Sequence, residues 1–132
     1  MTDTSGVTDW RVLHEFAGVD LSRSFVLSWE LVSETLLIDV DLFLMSEHAF
    51  YEKPRPAEKV CIRPAVIEFP FCERVESDKT AADATASDIV ADLGHGAISG
   101  LCRLADGHYE IEGDFGVVLI DAERPILKLK GP

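Results

Sequence analysis

Basic residues, paired cysteines and long apolar runs are all scarce in this chain of 132 residues. Twelve lysines and arginines stand against 24 aspartates and glutamates, which gives a net charge of −12. Nucleic acids and anionic membranes both select for positive charge, so we predict neither as a partner. The apolar run over 38–45 is broken by two aspartates and is too short to cross a bilayer.

Cysteine usage points to a reducing compartment. Cys61, Cys72 and Cys102 form an odd set without CxxC spacing, and residues 1–6 contain no basic or apolar region typical of a secretion signal. We therefore predict a cytoplasmic protein with free thiols. The histidines show neither HExxH nor HxH spacing, so we predict no metal and no cofactor.

What the chain does contain is the alternating pattern of β-strands. With a two-residue turn at Ser33-Glu34, the segments on either side pair Trp29 with Ile38, Leu27 with Val40 and Phe25 with Leu42. Further hairpins are predicted around Asp106-Gly107, with Cys102 opposite Ile111, and around Ala122-Glu123. The pattern predicts one domain over 1–132, an all-β antiparallel β-sandwich or flattened barrel of about seven strands.

Three segments leave alternatives open. Residues 8–17 have helical spacing that predicts a short N-terminal helix, although a strand would also fit. Pro64 interrupts the strand 60–69 and predicts either an edge strand or a bulge. The Ala-, Asp- and Ser-rich segment 76–92 predicts a mobile loop, or else a short helix over 86–93 capped by Ser87 and stopped by Gly94.

The inward positions of these strands define the predicted core. They are the positions that the alternation places on one face of each hairpin. The predicted core residues are Phe25, Leu27, Trp29, Ile38, Val40, Leu42, Ile98, Cys102, Ile111, Val118 and Leu127.

Acidic residues recur at every second position in two of the strands. Such carboxylates could serve acid–base chemistry, but period-two acids are typical of the solvated face of a half-buried strand. Asp114-Phe115-Gly116 spells the magnesium-binding tripeptide of kinases, yet the other kinase motifs are missing. We predict no catalytic residue. The predicted partner-binding residues are Glu30, Asp39, Asp41, Glu110, Glu112 and Asp114.

The stretch Asp20-Leu-Ser-Arg-Ser-Phe-Val-Leu-Ser-Trp and the closing stretch Gly113-Asp-Phe-Gly-Val-Val-Leu-Ile-Asp add a resemblance. Together with the acidic surface, they resemble small bacterial all-β proteins of uncharacterised function, some of which are regarded as toxin-immunity proteins. The resemblance implies a non-enzymatic binder of immunity or inhibitor type, and the net charge of −12 predicts that it masks a basic partner protein. The alternative is a ligand-binding barrel or small enzyme, whose pocket would gather His48, Tyr51, His95 and Cys102.

Apolar residues on the acidic side of the second strand favour self-association. Leu37, Phe43 and Met45 lie on that side, and exposed apolar patches mark interfaces. We therefore predict a homodimer through this side, unless the segment 70–92 folds over it. Further aromatic residues assigned to this interface are Phe50, Tyr51, Phe69 and Phe71.

Overall fold

The structure is a computed structural model that describes residues 7–48, 51, 61–78 and 84–130. Within these ranges the chain forms nine strands, one 3₁₀ turn and one α-helix. In chain order they are β1 Thr8–Asp9, the 3₁₀ turn His14–Phe16, β2 Val19–Val32, β3 Thr35–Leu44, β4 Cys61–Phe69, β5 Arg74–Ser77, α1 Ala86–Asp92, β6 Gly96–Arg103, β7 Tyr109–Gly113, β8 Gly116–Asp121 and β9 Ile126–Leu129.

The predicted all-β class is confirmed. Every strand pair is antiparallel, and 57% of the described residues lie in strands. The strand order is β5-β8-β7-β6-β2-β3-β4-β9, and β1 pairs with the end of β6. The sheet does not close. Its two halves share one buried cluster, in which Phe69 of β4 and Tyr109 of β7 lie with ring centroids 5.3 Å apart.

The β2–β3 hairpin follows the predicted register only near its turn. Trp29 pairs with Ile38 as predicted, but the pairing slips by one residue at Leu27, so that Val26 lies opposite Val40. A slip of one residue moves side chains to the opposite face. Val26 is therefore buried, whereas Phe25 is 45% and Leu27 is 49% exposed. Their assignment to the core was wrong.

A second irregularity lies nearer the start of β2. Between the pairs Asp20–Phe43 and Phe25–Asp41, β2 has four residues where β3 has one. Ser24 lies at this bulge and is fully buried. Its hydroxyl donates to the Asp20 carbonyl at 2.8 Å and accepts from the Phe43 N–H at 3.0 Å, so it supplies the contact that the backbone ladder lacks here.

The strand with the internal proline is not an edge strand. β4 pairs with β3 along its whole length without a bulge, and with β9 on its other side. Pro64 lies just beyond the last pair between β4 and β9, Ala65–Leu129, and its carbonyl accepts from the Lys130 N–H at 3.0 Å. Proline has no N–H to donate to a neighbouring strand. It is tolerated here because its nitrogen lies beyond the last residue pair between β4 and β9.

The pairing predicted for the C-terminal half was also wrong. Asp106-Gly107 does form the turn between β6 and β7, but Leu101, not Cys102, lies opposite Ile111. Gly107 has a φ of +92° and closes a three-residue loop, which shifts the register by one from a two-residue turn. β8 and β9 do not form a hairpin, because β8 pairs with β5 and β7 while β9 pairs with β4.

Local order replaces much of the expected loop. Residues 76–77 belong to β5, and α1 forms the helix given as the alternative, although Thr85 rather than Ser87 caps it by accepting from the Asp88 N–H at 3.2 Å. Residues 79–83 lie outside the described part. Near the N-terminus, β1 and the 3₁₀ turn take the place of the predicted helix.

Most of the residues that the sequence assigns to the core are buried. Ile38, Val40, Leu42, Ile98 and others are buried, and Trp29 and Leu127 are half-buried against them. Cys102 is half-buried on the outer face instead of in the core. The largest fully buried side chains include several that the alternation did not assign to the core: Tyr109, Phe69, Leu21, Leu36, Leu44, Ile67, Ile120 and Val26.

Candidate functional site

Cross-strand pairing gathers carboxylates on the outer face of the part of the sheet formed by β1, β6, β7, β8 and β5. Asp9 lies opposite Cys102, which lies opposite Glu110. The same row continues across β8 to Glu76 of β5. Glu112 is two residues along β7 from Glu110 and therefore shares its face. We call Asp9, Glu76, Glu110 and Glu112 the acidic face.

The charges of the acidic face are only partly balanced. Arg11 pairs with Asp9 at 3.0 Å and Arg74 pairs with Glu76 at 2.8 Å, both in exposed positions. Within the described ranges, no cation pairs with Glu110 or Glu112. Burial and, after it, the neighbouring Glu112 raise the pKa of Glu110. A cation from outside would relieve the repulsion between these two glutamates.

Cys102 lies among these carboxylates and is a poor nucleophile. Burial raises the pKa of its thiol, and the negative charges of Glu110, Glu112 and Asp9 raise it further. Reactive cysteines have a lowered thiol pKa and a positive surrounding. The structure thus places Cys102 in the opposite environment from one that would support nucleophilic or redox chemistry.

Asp114 does not belong to the acidic face. It lies in the turn between β7 and β8, where its carboxylate accepts from the Ala97 N–H at 3.0 Å. A Cβ atom at Gly96 would come within 2.7 Å of that carboxylate. The next residue, Phe115, is buried against Trp29 with ring centroids 5.2 Å apart. The kinase-like tripeptide therefore holds the β6–β7–β8 corner together.

Glu30, Asp39 and Asp41 lie on a different surface, the outer face of β2 and β3. Asp39 is paired with Lys130 at 2.7 Å and accepts from the Ser28 hydroxyl at 2.9 Å. These contacts hold the pKa of Asp39 below its usual value, with the hydrogen bond from Lys130 as the largest cause. The partner-binding residues predicted from the sequence therefore do not form one patch.

The surface pockets lined by described residues do not gather the four residues predicted for the alternative ligand pocket. Cys102 faces outward from β6, and His95 is exposed in the loop between α1 and β6. His48 follows β3, and the Tyr51 N–H donates to its carbonyl at 3.0 Å. Two surface pockets lined by described residues contain none of the four.

A histidine flanked by carboxylates lies beside the acidic face. Nδ1 of His108 is 3.2 Å from Asp106 and Nε2 is 3.3 Å from Asp121, in a pocket of about 70 Å³ that Arg74 and Glu76 also line. Among the described residues no cluster of histidine, cysteine, aspartate or glutamate has the arrangement of a metal site.

Sequence patterns gave no sign of two members of the acidic face. Asp9 belongs to a two-residue strand and Glu76 to a four-residue strand, and both are too short to show alternation. Only their pairing with β6 and β8 brings them beside Glu110.

Comparison of the chain with protein-family models, with curated proteins and with solved structures finds no match. Over the described part of the chain, no helix has the length and apolar character needed to span a membrane.

Proposed function

We propose that this protein is a non-enzymatic binding protein of immunity or inhibitor type, which covers a basic surface of a partner protein with its acidic face. The observation that carries the proposal is the adjacent pair Glu110 and Glu112, which lacks a cation among the described residues. A lysine or arginine of the partner would remove the repulsion between them. The net charge of −12 would speed the encounter and make it sensitive to salt.

The proposal includes a cytoplasmic location, because it assumes reduced thiols. Cys61, Cys72 and Cys102 are all free, and the first two are buried. The environment of Cys102 disfavours its thiolate, so the proposal gives this cysteine no catalytic role.

The test is capture of a basic partner from a lysate of the source cells at about 0.05 M salt, where surface charges are weakly screened. Three forms of the immobilised protein are compared: wild type, Glu110→Gln/Glu112→Gln, and Glu30→Gln/Asp41→Asn. The last removes the same charge from the other outer face. We expect a basic protein to be retained by wild type and by the Glu30/Asp41 variant, to elute with added salt, and to be lost from the Glu110/Glu112 variant. Equal capture by all three forms, or capture of no basic protein, would contradict the proposal.

We also propose that the outer face of β2, β3 and β4 forms a homodimer. Leu37 and Phe43 lie there half-buried, and the neighbouring positions add apolar side chains exposed by 39–49%. Phe69 is buried in the core and is not available, and Phe50 lies outside the described residues. The exposed apolar side chains of this face are Phe25, Leu27, Val32, Met45 and Ile62, and Ile126 of the adjoining β9 extends it.

Leu27→Glu tests the dimer without disturbing the core, because Leu27 is the extra residue of the bulge and is 49% exposed. Light scattering at moderate salt should give twice the chain mass of 14.6 kDa for wild type and a single-chain mass for the variant. Val12→Glu, at a 75% exposed position outside this face, is the control and should remain dimeric. A single-chain mass for wild type at all micromolar concentrations would overturn the dimer.

A further inference from the structure

A second charged cavity lies away from the acidic face. Its volume is about 180 Å³, and it lies between the segment 12–15, the facing ends of β6 and β7, and the connection from β8 to β9. Its charged or polar lining residues are His14, Glu15, Arg103, Tyr109 and Arg124. In a chain with twice as many acidic as basic residues, a cavity with two arginines runs against the overall charge.

Arg103 is held in this cavity by strand pairing. It lies opposite Thr8 of β1 on one side and opposite the buried Tyr109 of β7 on the other. Its Nε is buried and has no hydrogen-bond partner among the described residues. A buried donor of a charged group is costly to leave unsatisfied, so native proteins normally pair it with an acceptor.

Arg124 approaches the same place from the connection between β8 and β9. None of the ion pairs found among the described residues includes Arg103, Arg124 or Glu15. The charges of Arg103, Glu15, Arg124 and Glu123 all act on the pKa of Tyr109, which burial raises as the largest cause. Two arginines thus line a small cavity, and their charge is opposed by Glu15 in the lining and by Glu123 outside it.

We propose that this cavity binds a small oxyanion with two negative charges, of the kind presented by a phosphate group. Two guanidinium groups offer planar forks of N–H donors, which match the oxygens of phosphate, and charge-assisted hydrogen bonds of this type are strong. The oxyanion would accept from the terminal N–H groups of the guanidinium of Arg103, since its Nε is buried away from the cavity. The cavity volume limits the ligand to the anion itself or to one with a small substituent.

The test is calorimetric titration with inorganic phosphate at constant ionic strength. Arg124→Gln and Arg103→Gln should each weaken binding roughly tenfold, the loss expected for a charge-assisted hydrogen bond. Glu15→Gln should instead tighten binding, because it removes the negative charge from the same cavity. Arg23→Gln is the matched control, since Arg23 is exposed and pairs with Asp20 far along β2. It should leave the affinity within about twofold, as expected for an exposed charge in salt.

Absence of phosphate binding to wild type, or equal affinity for the Arg124, Glu15 and Arg23 variants, would overturn the proposal. If Arg103→Gln does not fold, the opposite changes expected for Arg124→Gln and Glu15→Gln still decide the question. Titrations with sulfate and acetate test the ligand class. Sulfate should bind with an affinity similar to that of phosphate, and acetate binding as tightly as sulfate would contradict a site for a doubly charged oxyanion.

Discussion

Replacing Ser24 with alanine tests whether a single buried hydroxyl holds the bulge of β2 together. Ser24 is fully buried, and its hydroxyl joins the Asp20 carbonyl to the Phe43 N–H across the bulge. Alanine removes both hydrogen bonds and leaves the Phe43 N–H without this partner. The substitution adds no volume, so packing is disturbed little.

The expected loss follows from these two contacts. A net hydrogen bond contributes about 1 kcal/mol, and leaving a buried donor unsatisfied costs about 1–3 kcal/mol. We therefore expect Ser24→Ala to lower the free energy of unfolding by about 2–4 kcal/mol. With a urea m-value of about 2 kcal/mol/M, the unfolding midpoint should fall by roughly 1–2 M.

Urea unfolding followed by tryptophan fluorescence measures this loss, since Trp10 is buried and Trp29 is half-buried. Ser28→Ala is the matched control. Ser28 is an exposed serine of the same strand whose hydroxyl donates to Asp39 at 2.9 Å, so its loss should be within about 0.5 kcal/mol. If Ser24→Ala costs no more than Ser28→Ala, the hydroxyl does not hold the bulge and the reasoning is refuted.

Three further predictions use the same assay. Gly113→Ala should lower the free energy of unfolding by about 2–3 kcal/mol, because a Cβ atom there would overlap the Ala97 carbonyl and the Phe115 ring. Gly100→Ala, which has open space around it, should lower it by less than about 1 kcal/mol. Ser33→Gly should stabilise the protein by about 0.5–1 kcal/mol, because Ser33 has a φ of +55° that glycine adopts more easily. Ser99→Gly in β6, the control, should destabilise the protein. Destabilisation by Ser33→Gly would contradict the prediction. The pKa of Glu110 is raised, so the stability that Glu110 contributes in acid is lost as the pH rises through that pKa. Glu110→Gln should therefore raise the urea midpoint at neutral pH and leave it unchanged near pH 3. Equal shifts of the midpoint at both pH values would refute this cause.

The amino-acid sequence by itself determined the fold class and several of the local elements. Alternation of apolar residues on either side of Ser33-Glu34 predicts the β2–β3 hairpin, and its pairs near the turn, such as Trp29 with Ile38, are confirmed. Turn chemistry predicts the turn at Asp106-Gly107, and it offers the helix over 86–93 as the alternative to a mobile loop, with Ser87 instead of Thr85 as its cap. These features depend on residues close together in the chain, where turn chemistry and side-chain period act directly.

Only the tertiary structure decided which faces and which partners the strands have. Phe25 and Leu27 point outward because β2 has an extra residue at Leu27. The residues around this bulge are apolar, so the local sequence pattern does not reveal it. β9 pairs with β4 instead of with β8, since strand pairing is non-local and depends on which edges the rest of the sheet leaves open. The acidic face and the cavity of Arg103 and Arg124 arise from such pairings, and their residues are too distant in the chain for any spacing to connect them.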